Sequence, residues 1–199
     1  MASLINTRAR YTPRFVLQPF RRRDVGAIDE AVTASLNELQ PWLPWASRDY
    51  SRSTTQHFVR DSMNAWNDAR AFDFAIRRPE NPDRNVGNVS VWYTSRANQV
   101  AEIGYWVRTD ETSKGVCTEA TARVLQVGFE ELKLHRVTLR IAVGNRASER
   151  VAEKLGFLQE GVLREDVKVG SRWMDHTLWG LLDTEWRAER DRYRAEAWT

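Results

Sequence analysis

The sequence predicts an α/β (α+β) fold, a mixed, mostly antiparallel sheet of about six or seven strands with helices on both faces. Three observations predict it. Apolar residues alternate with polar or small ones in three successive runs, Phe72-Phe74-Ile76, Val89-Val91-Tyr93 and Ala101-Ile103-Tyr105-Val107, which reads as a meander of neighbouring strands. A helical pattern over 115–134, with Ala120, Val124, Val127 and Leu132 near helical spacing, then leads to another alternating run, Val137-Leu139-Ile141-Val143. Strand, helix, strand makes a crossover whose two strands are parallel or splayed neighbours. Lastly, strands near 158–169 and 173–181 flank a turn at Gly170-Ser171.

The remaining elements fill in around that sheet. Residues 14–20 (RFVLQPF) read as a first strand, and 24–39 as a helix with Asp24 as its N-cap, ended by the Pro-Trp-Leu-Pro-Trp run. Ser53 or Thr54 opens a second helix with an apolar stripe of Phe58, Met63 and Trp66. Residues 79–83 (PENPD) make the turn of the first hairpin. From Asn145 a short helix buries Val151, Ala152 and Leu155, and Gly156 takes the left-handed position that closes it. Phe157 then returns to the core, and a charged helix follows over about 183–197.

A chain of 199 residues suits a single domain, with 42% hydrophobic and 29% charged residues. No apolar segment near the start suggests a signal sequence, and no run of about 18 apolar residues suggests a membrane span, so a cytoplasmic protein without a membrane partner is expected. One cysteine, Cys117, excludes an internal disulfide, and His57, His135 and His176 lack metal-ligand spacing, so no metal is implied. The 30 basic and 27 acidic residues are mixed along the chain, which argues against a nucleic-acid partner despite the clusters Arg21-Arg22-Arg23 and Arg77-Arg78. The nine tryptophans are mostly core material, but large flat rings also suit a substrate pocket.

Two stretches carry chemistry. From Tyr105 through Thr109, Thr112, Ser113, Lys114, Gly115, Val116, Cys117 and Thr118, a strand passes through a short loop into a helix start. Free backbone N–H groups and the positive end of the helix dipole there suit a diphosphate, with Gly115 allowing close approach and Lys114 adding charge. The second stretch, 145–161, reads Asn-x-x-Ser-x-x-Val-x-Glu-Lys-Leu-Gly-Phe-x-x-Glu-Gly, followed by Leu163-Arg164.

That second pattern resembles motif B of the GNAT superfamily of N-acetyltransferases in its RimJ/RimL form. The first stretch then resembles motif A, usually Gln/Arg-x-x-Gly-x-Gly/Ala, with Gly115 matching and Thr112 and Cys117 departing. Trp42-Leu43-Pro44-Trp45, Glu102-Ile103-Gly104-Tyr105-Trp106 and the strand 175–181 also resemble that branch. The resemblance implies the GNAT fold, with a splay between its fourth and fifth strands, and acetyl-CoA as co-substrate. It further implies direct acetyl transfer to a primary amine of a protein N-terminus, an amino acid or aminoacyl conjugate, or a small amine.

In such a fold the pantetheine arm pairs with the open strand edge near Val107 and Thr109, and an N–H close to Val107 stabilises the oxyanion. Residues 112–118 receive the diphosphate, and Asn145 both caps its helix and touches the cofactor. Ser148 resembles the residue that donates a hydrogen bond to the departing thiolate. Glu102 shares a strand face with Gly104, which leaves room beside it, and with Trp106, so it is the leading general base; Asp73 is its rival. Cys117 at a helix start is the candidate for a covalent route. Trp42, Trp45, Trp92 and Trp106 are candidates to line the acceptor pocket, with core packing accounting for at least half of them. A homodimer is compatible with the family. The other reading is a non-catalytic acyl-CoA-binding regulatory module.

Overall fold

The computed structural model describes residues 6–199; the first five, part of the segment read above for a signal sequence, lie outside the described residues. The strands are β1 (Arg10–Tyr11), β2 (Val16–Pro19), β3 (Ala71–Arg77), β4 (Gly87–Ser95), β5 (Val100–Val107), β6 (Arg136–Ala142), β7 (Leu158–Val169) and β8 (Arg172–Leu182). They form one sheet in the order β1-β2-β3-β4-β5-β6-β8-β7. Every neighbouring pair is antiparallel except β5 and β6, which are parallel. The sheet has eight strands because 10–11 turns back on the predicted first strand, pairing Arg10 with Leu17 and Tyr11 with Val16.

The helices are α1 (Val25–Thr33), α2 (Leu36–Leu39), α3 (Arg52–Asn67), α4 (Val116–Gln126), α5 (Arg146–Lys154) and α6 (Asp183–Ala195). Alternation along the strands divides the core in two. Phe72, Phe74, Val89, Val91, Ala101 and Ile103 pack with Ala120, Val124 and Leu125 of α4. On the other face Ala75 and Trp106 pack with Ile28 and Val32 of α1 and Val59 of α3. Among the described residues no helix is long and apolar enough to cross a membrane.

Four local expectations change. The helix foreseen over 24–39 breaks at Ala34 and Ser35, because the buried Ser35 hydroxyl receives the Thr109 N–H at 3.0 Å from the far end of β5. Asp24 does not cap α1; its carboxylate accepts the Arg21 N–H at 2.7 Å and pairs with the buried Arg77 at 2.8 Å. In α3 the buried stripe is Thr55, Val59, Ser62 and Trp66, while Phe58 is exposed. The spacing is helical as foreseen, but the phase turns so that Ser62 meets Asp73 on β3. The long helix over 115–134 ends earlier, since 127–131 widens into a π-turn. Gly128 permits this: a side chain there would begin 3.1 Å from Leu134, which folds back onto the helix.

Candidate active site

The sheet opens at its one parallel pair. β5 and β6 are joined only at Val100–Arg136, Ala101–Val137 and Glu102–Thr138, although both strands continue beyond that point. The Arg108 N–H donates to the Val86 carbonyl at 3.0 Å, so by antiparallel alternation the even-numbered residues of β5 bond to β4. The backbone groups of Tyr105 and Val107 therefore face the gap. Thr109 does not extend this edge, because its N–H is taken by Ser35 and its hydroxyl donates to Glu38 at 3.1 Å.

Two helix starts flank the gap. Gly115 precedes α4 with φ of 78°, a left-handed conformation that glycine adopts without strain, and no side chain caps the helix. The first-turn amides of Val116, Cys117 and Thr118 thus keep free donors at the positive end of the dipole. Across the gap Asn145 caps α5, its side-chain oxygen accepting the Ser148 N–H at 3.3 Å. The Tyr105 hydroxyl spans the opening and donates to the Ser148 carbonyl at 3.2 Å.

The loop before α4 is stiffened by its own polar groups. The Thr112 hydroxyl donates to the Thr109 carbonyl at 2.8 Å, Ser113 is exposed with φ of 61°, and the Lys114 ammonium lies 3.4 Å from Glu111. Lys114 therefore brings less free charge than its sequence position promised. Val116 and Thr118 are buried, so they offer amides rather than side chains. Cys117 sits against Tyr105, and burial pushes its thiol up to about 12, which removes the thiolate that a covalent route needs.

The opposite face of the sheet holds the predicted acid–base and aromatic groups. Glu102 is 8% exposed, and both of its oxygens accept from Arg140 Nε, at 3.0 and 3.1 Å. Burial raises the Glu102 carboxyl above its ordinary range; Arg140 opposes that rise and Asp166 adds to it. Trp92 stands opposite Glu102 in the register, and its ring fills the space at Gly104, where a side chain would begin 3.0 Å away. The room that Gly104 leaves is thus occupied by Trp92. Trp45 is partly exposed with its ring 6.0 Å from that of Trp106, itself 9% exposed and part of the core under α1 and α3. Trp42 lies half-buried in the loop after α2, with no ring partner among the described aromatic pairs. Asp73 is buried beneath α3 beside Ser62 and Ser90, where it links helix to sheet.

The acetyltransferase (GNAT) domain family matches residues 14–158. This chain belongs to the GNAT acetyltransferase family. A putative ribosomal N-acetyltransferase of Bacillus subtilis, YdaF, is 30% identical over 84% of this acetyltransferase and 91% of its own length. A ribosomal-protein-serine acetyltransferase of Escherichia coli is 25% identical over 74% of the chain and 81% of its own. Among solved structures, Mycobacterium smegmatis RimJ in complex with CoA-disulfide superposes with a TM-score of 0.86 at 25% identity, covering 99% of this chain and 98% of that one. The enzyme is thus a RimJ/RimL-like N-acetyltransferase with the GNAT fold, its splay lying between β5 and β6 because the short β1 adds one to the count. The uncapped, glycine-led start of α4 beside an open strand edge fits a nucleotide thioester: amides for the diphosphate and a strand edge for the amide-bearing arm.

Reading the sequence missed three groups around this acetyltransferase site. Arg14 and Thr12 clamp Glu119 in the first turn of α4, with Arg14 Nε at 2.6 Å and the Thr12 hydroxyl at 2.6 Å from its carboxylate. Arg14 Nη1 also donates to the Lys114 carbonyl at 3.0 Å, fixing the loop from behind. The expected basic pair Arg77-Arg78 is internal, Arg77 holding Asp24 and Arg78 holding Glu111 at 2.9 Å. Arg140 and Asp166 complete the surroundings of Glu102. Alternation along 136–142 places Arg140 on the Glu102 face, and that is the one signal that was available.

Proposed function

We propose that this enzyme transfers the acetyl group of acetyl-CoA directly to a primary amine, with the α-amine of a protein N-terminus as the favoured acceptor. The parting of β5 and β6 beside the uncapped start of α4 carries this reading. When bound, acetyl-CoA supplies the electrophilic thioester carbonyl. The amides of 115–118 receive the diphosphate, backed by Ser113, Lys114 and Thr112, and the edge at Tyr105 and Val107 pairs with the pantetheine arm. The Val107 N–H steadies the negative charge that builds on the carbonyl oxygen as the amine attacks. Asn145 keeps the start of α5 in place beside the thioester.

An N-terminal amine, with a pKa of about 7.7–8.0, is mostly protonated at neutral pH and must lose a proton to attack. Glu102 accepts it, directly or through one water; its raised carboxyl makes it a better base than an exposed glutamate. The Ser148 hydroxyl donates a hydrogen bond to the departing thiolate, and the Tyr105 bridge fixes Ser148 at the gap. Trp45 and Trp92 grip the apolar part of the acceptor while Trp106 supports them from the core.

The relatives named for ribosomal proteins favour a ribosomal-protein N-terminus over a free amino acid or small amine. The test is a mass-shift screen of purified enzyme and acetyl-CoA against peptides with ribosomal-protein N-termini, aminoacyl conjugates and small amines. Gain of one acetyl group on N-terminal peptides supports the proposal. Tight acetyl-CoA binding without transfer to any amine would favour a non-catalytic module.

A further inference from the structure

We propose that Arg140 and Asp166 are positioning residues for Glu102: one guanidinium, shared between two carboxylates on different strands, holds Glu102 at the mouth of the gap and decides how readily it takes a proton. This rests on the reading of Glu102 as the base.

Arg140 lies two residues past Thr138, the last residue of β6 that pairs with β5, so it stands where the strands part. Its Nε binds both oxygens of Glu102, while Nη1 lies 3.3 and 3.4 Å from the two oxygens of Asp166. The two arms of the guanidinium fork thus hold different carboxylates, Nε sharing its one N–H between the Glu102 oxygens and Nη1 reaching Asp166. Asp166 reaches the fork because β7 departs from its register between Leu163 and Val167. Within that irregularity Glu165 adopts φ of 52°, and its N–H donates to Asp175 Oδ1 at 2.8 Å. A left-handed non-glycine residue is strained and persists only where its surroundings hold it, and strand bulges commonly serve to re-aim a side chain. Here the re-aimed side chain is Asp166.

The charged groups facing Glu102 are Arg140 from β6 and Asp166 from β7. His176 of β8 stands behind Asp166, its buried Nδ1 3.6 Å from that carboxylate and without a hydrogen-bond partner. Thr138 and Trp92 are the neutral neighbours in the register. Attraction to Arg140 and repulsion from Asp166 therefore act on Glu102 in opposite senses.

The test is a titration of the side-chain carboxyls of uniformly ¹³C-glutamate-labelled enzyme by NMR, with the Glu102 signal assigned by its loss in Glu102→Gln. Arg140→Gln should move the Glu102 midpoint to higher pH and Asp166→Asn to lower pH. The acid limb of kcat/KM, measured with acetyl-CoA and a seryl-peptide amine, should move with each midpoint, and Arg140→Gln should lose about tenfold on that limb. Arg140→Lys keeps the charge without the fork; it should restore the midpoint but not kcat. Circular dichroism melts identify any variant that is simply misfolded. Midpoints that stay put, or move in the same direction, overturn the proposal. An acid limb unchanged in Glu102→Gln overturns the base reading beneath it, whatever the two midpoints do.

Discussion

Replacing Glu119 by alanine tests whether the start of α4 is held rigid from behind. Glu119 has no exposed surface and accepts three hydrogen bonds, from the Thr12 hydroxyl at 2.6 Å, the Arg14 N–H at 2.9 Å and Arg14 Nε at 2.6 Å. Removing one partner of a buried ion pair costs ~3–5 kcal/mol. The Arg14 side chain is 49% exposed and can turn to water, so the loss falls at the low end, about 3 kcal/mol. For a chain of this size each kcal/mol moves the unfolding midpoint by ~2–4 °C, which predicts a fall of about 6–12 °C. Arg14 also fixes the Lys114 carbonyl, so the loop loses its preorganisation and the Kd for CoA should rise about tenfold, equivalent to about 1.4 kcal/mol. Thermal melts followed by circular dichroism and isothermal titration with CoA measure the two effects separately. A midpoint within about 2 °C of wild type, or a lowered midpoint with unchanged CoA affinity, would refute the reasoning.

Asp73→Asn should stabilise the enzyme near neutral pH. Burial raises the Asp73 carboxyl, so the folded chain holds a proton more tightly than the unfolded one, and the charged form weakens the fold at pH above that raised value. The advantage of the variant should shrink as pH falls through the raised value, which melts recorded from neutral to acid pH will show; an advantage that grows on acidification would contradict it. Ser148→Ala should lower kcat by ~10-fold or more with little change in CoA affinity, since it removes one donor to the departing thiolate. Thiol release with an N-terminal peptide measures this, and unchanged turnover would leave Ser148 as a helix residue only.

Much of the fold was legible because periodicity reports on faces. The three alternating runs over 72–107 became β3, β4 and β5, the crossover gave the parallel pair, and Gly156 closes α5 with φ of 76°. The motif at 145–161 and the glycine before α4 pointed to the two helix starts that flank the gap. What escaped was non-local. Arg14 and Glu119 are 105 residues apart, Glu102 and Arg140 are 38 apart, and no local pattern announces which charges will meet. The face alternation that correctly set Glu102 beside Trp106 could not tell that α1 and α3 would cover Trp106 and Asp73. The break between α1 and α2 followed the same rule, since the Ser35 hydroxyl serves an N–H that arrives from β5.

The central claim is that the amides opening α4 hold the diphosphate of a thioester nucleotide beside the parted strands. Amide hydrogen exchange, read residue by residue with and without CoA, tests it most directly. The account predicts that CoA slows exchange at 115–118 and at Tyr105 and Val107 together, while the amide of Thr109, already bonded to Ser35, changes little. Protection confined to other segments, with 115–118 exchanging as fast as in the free enzyme, would contradict it.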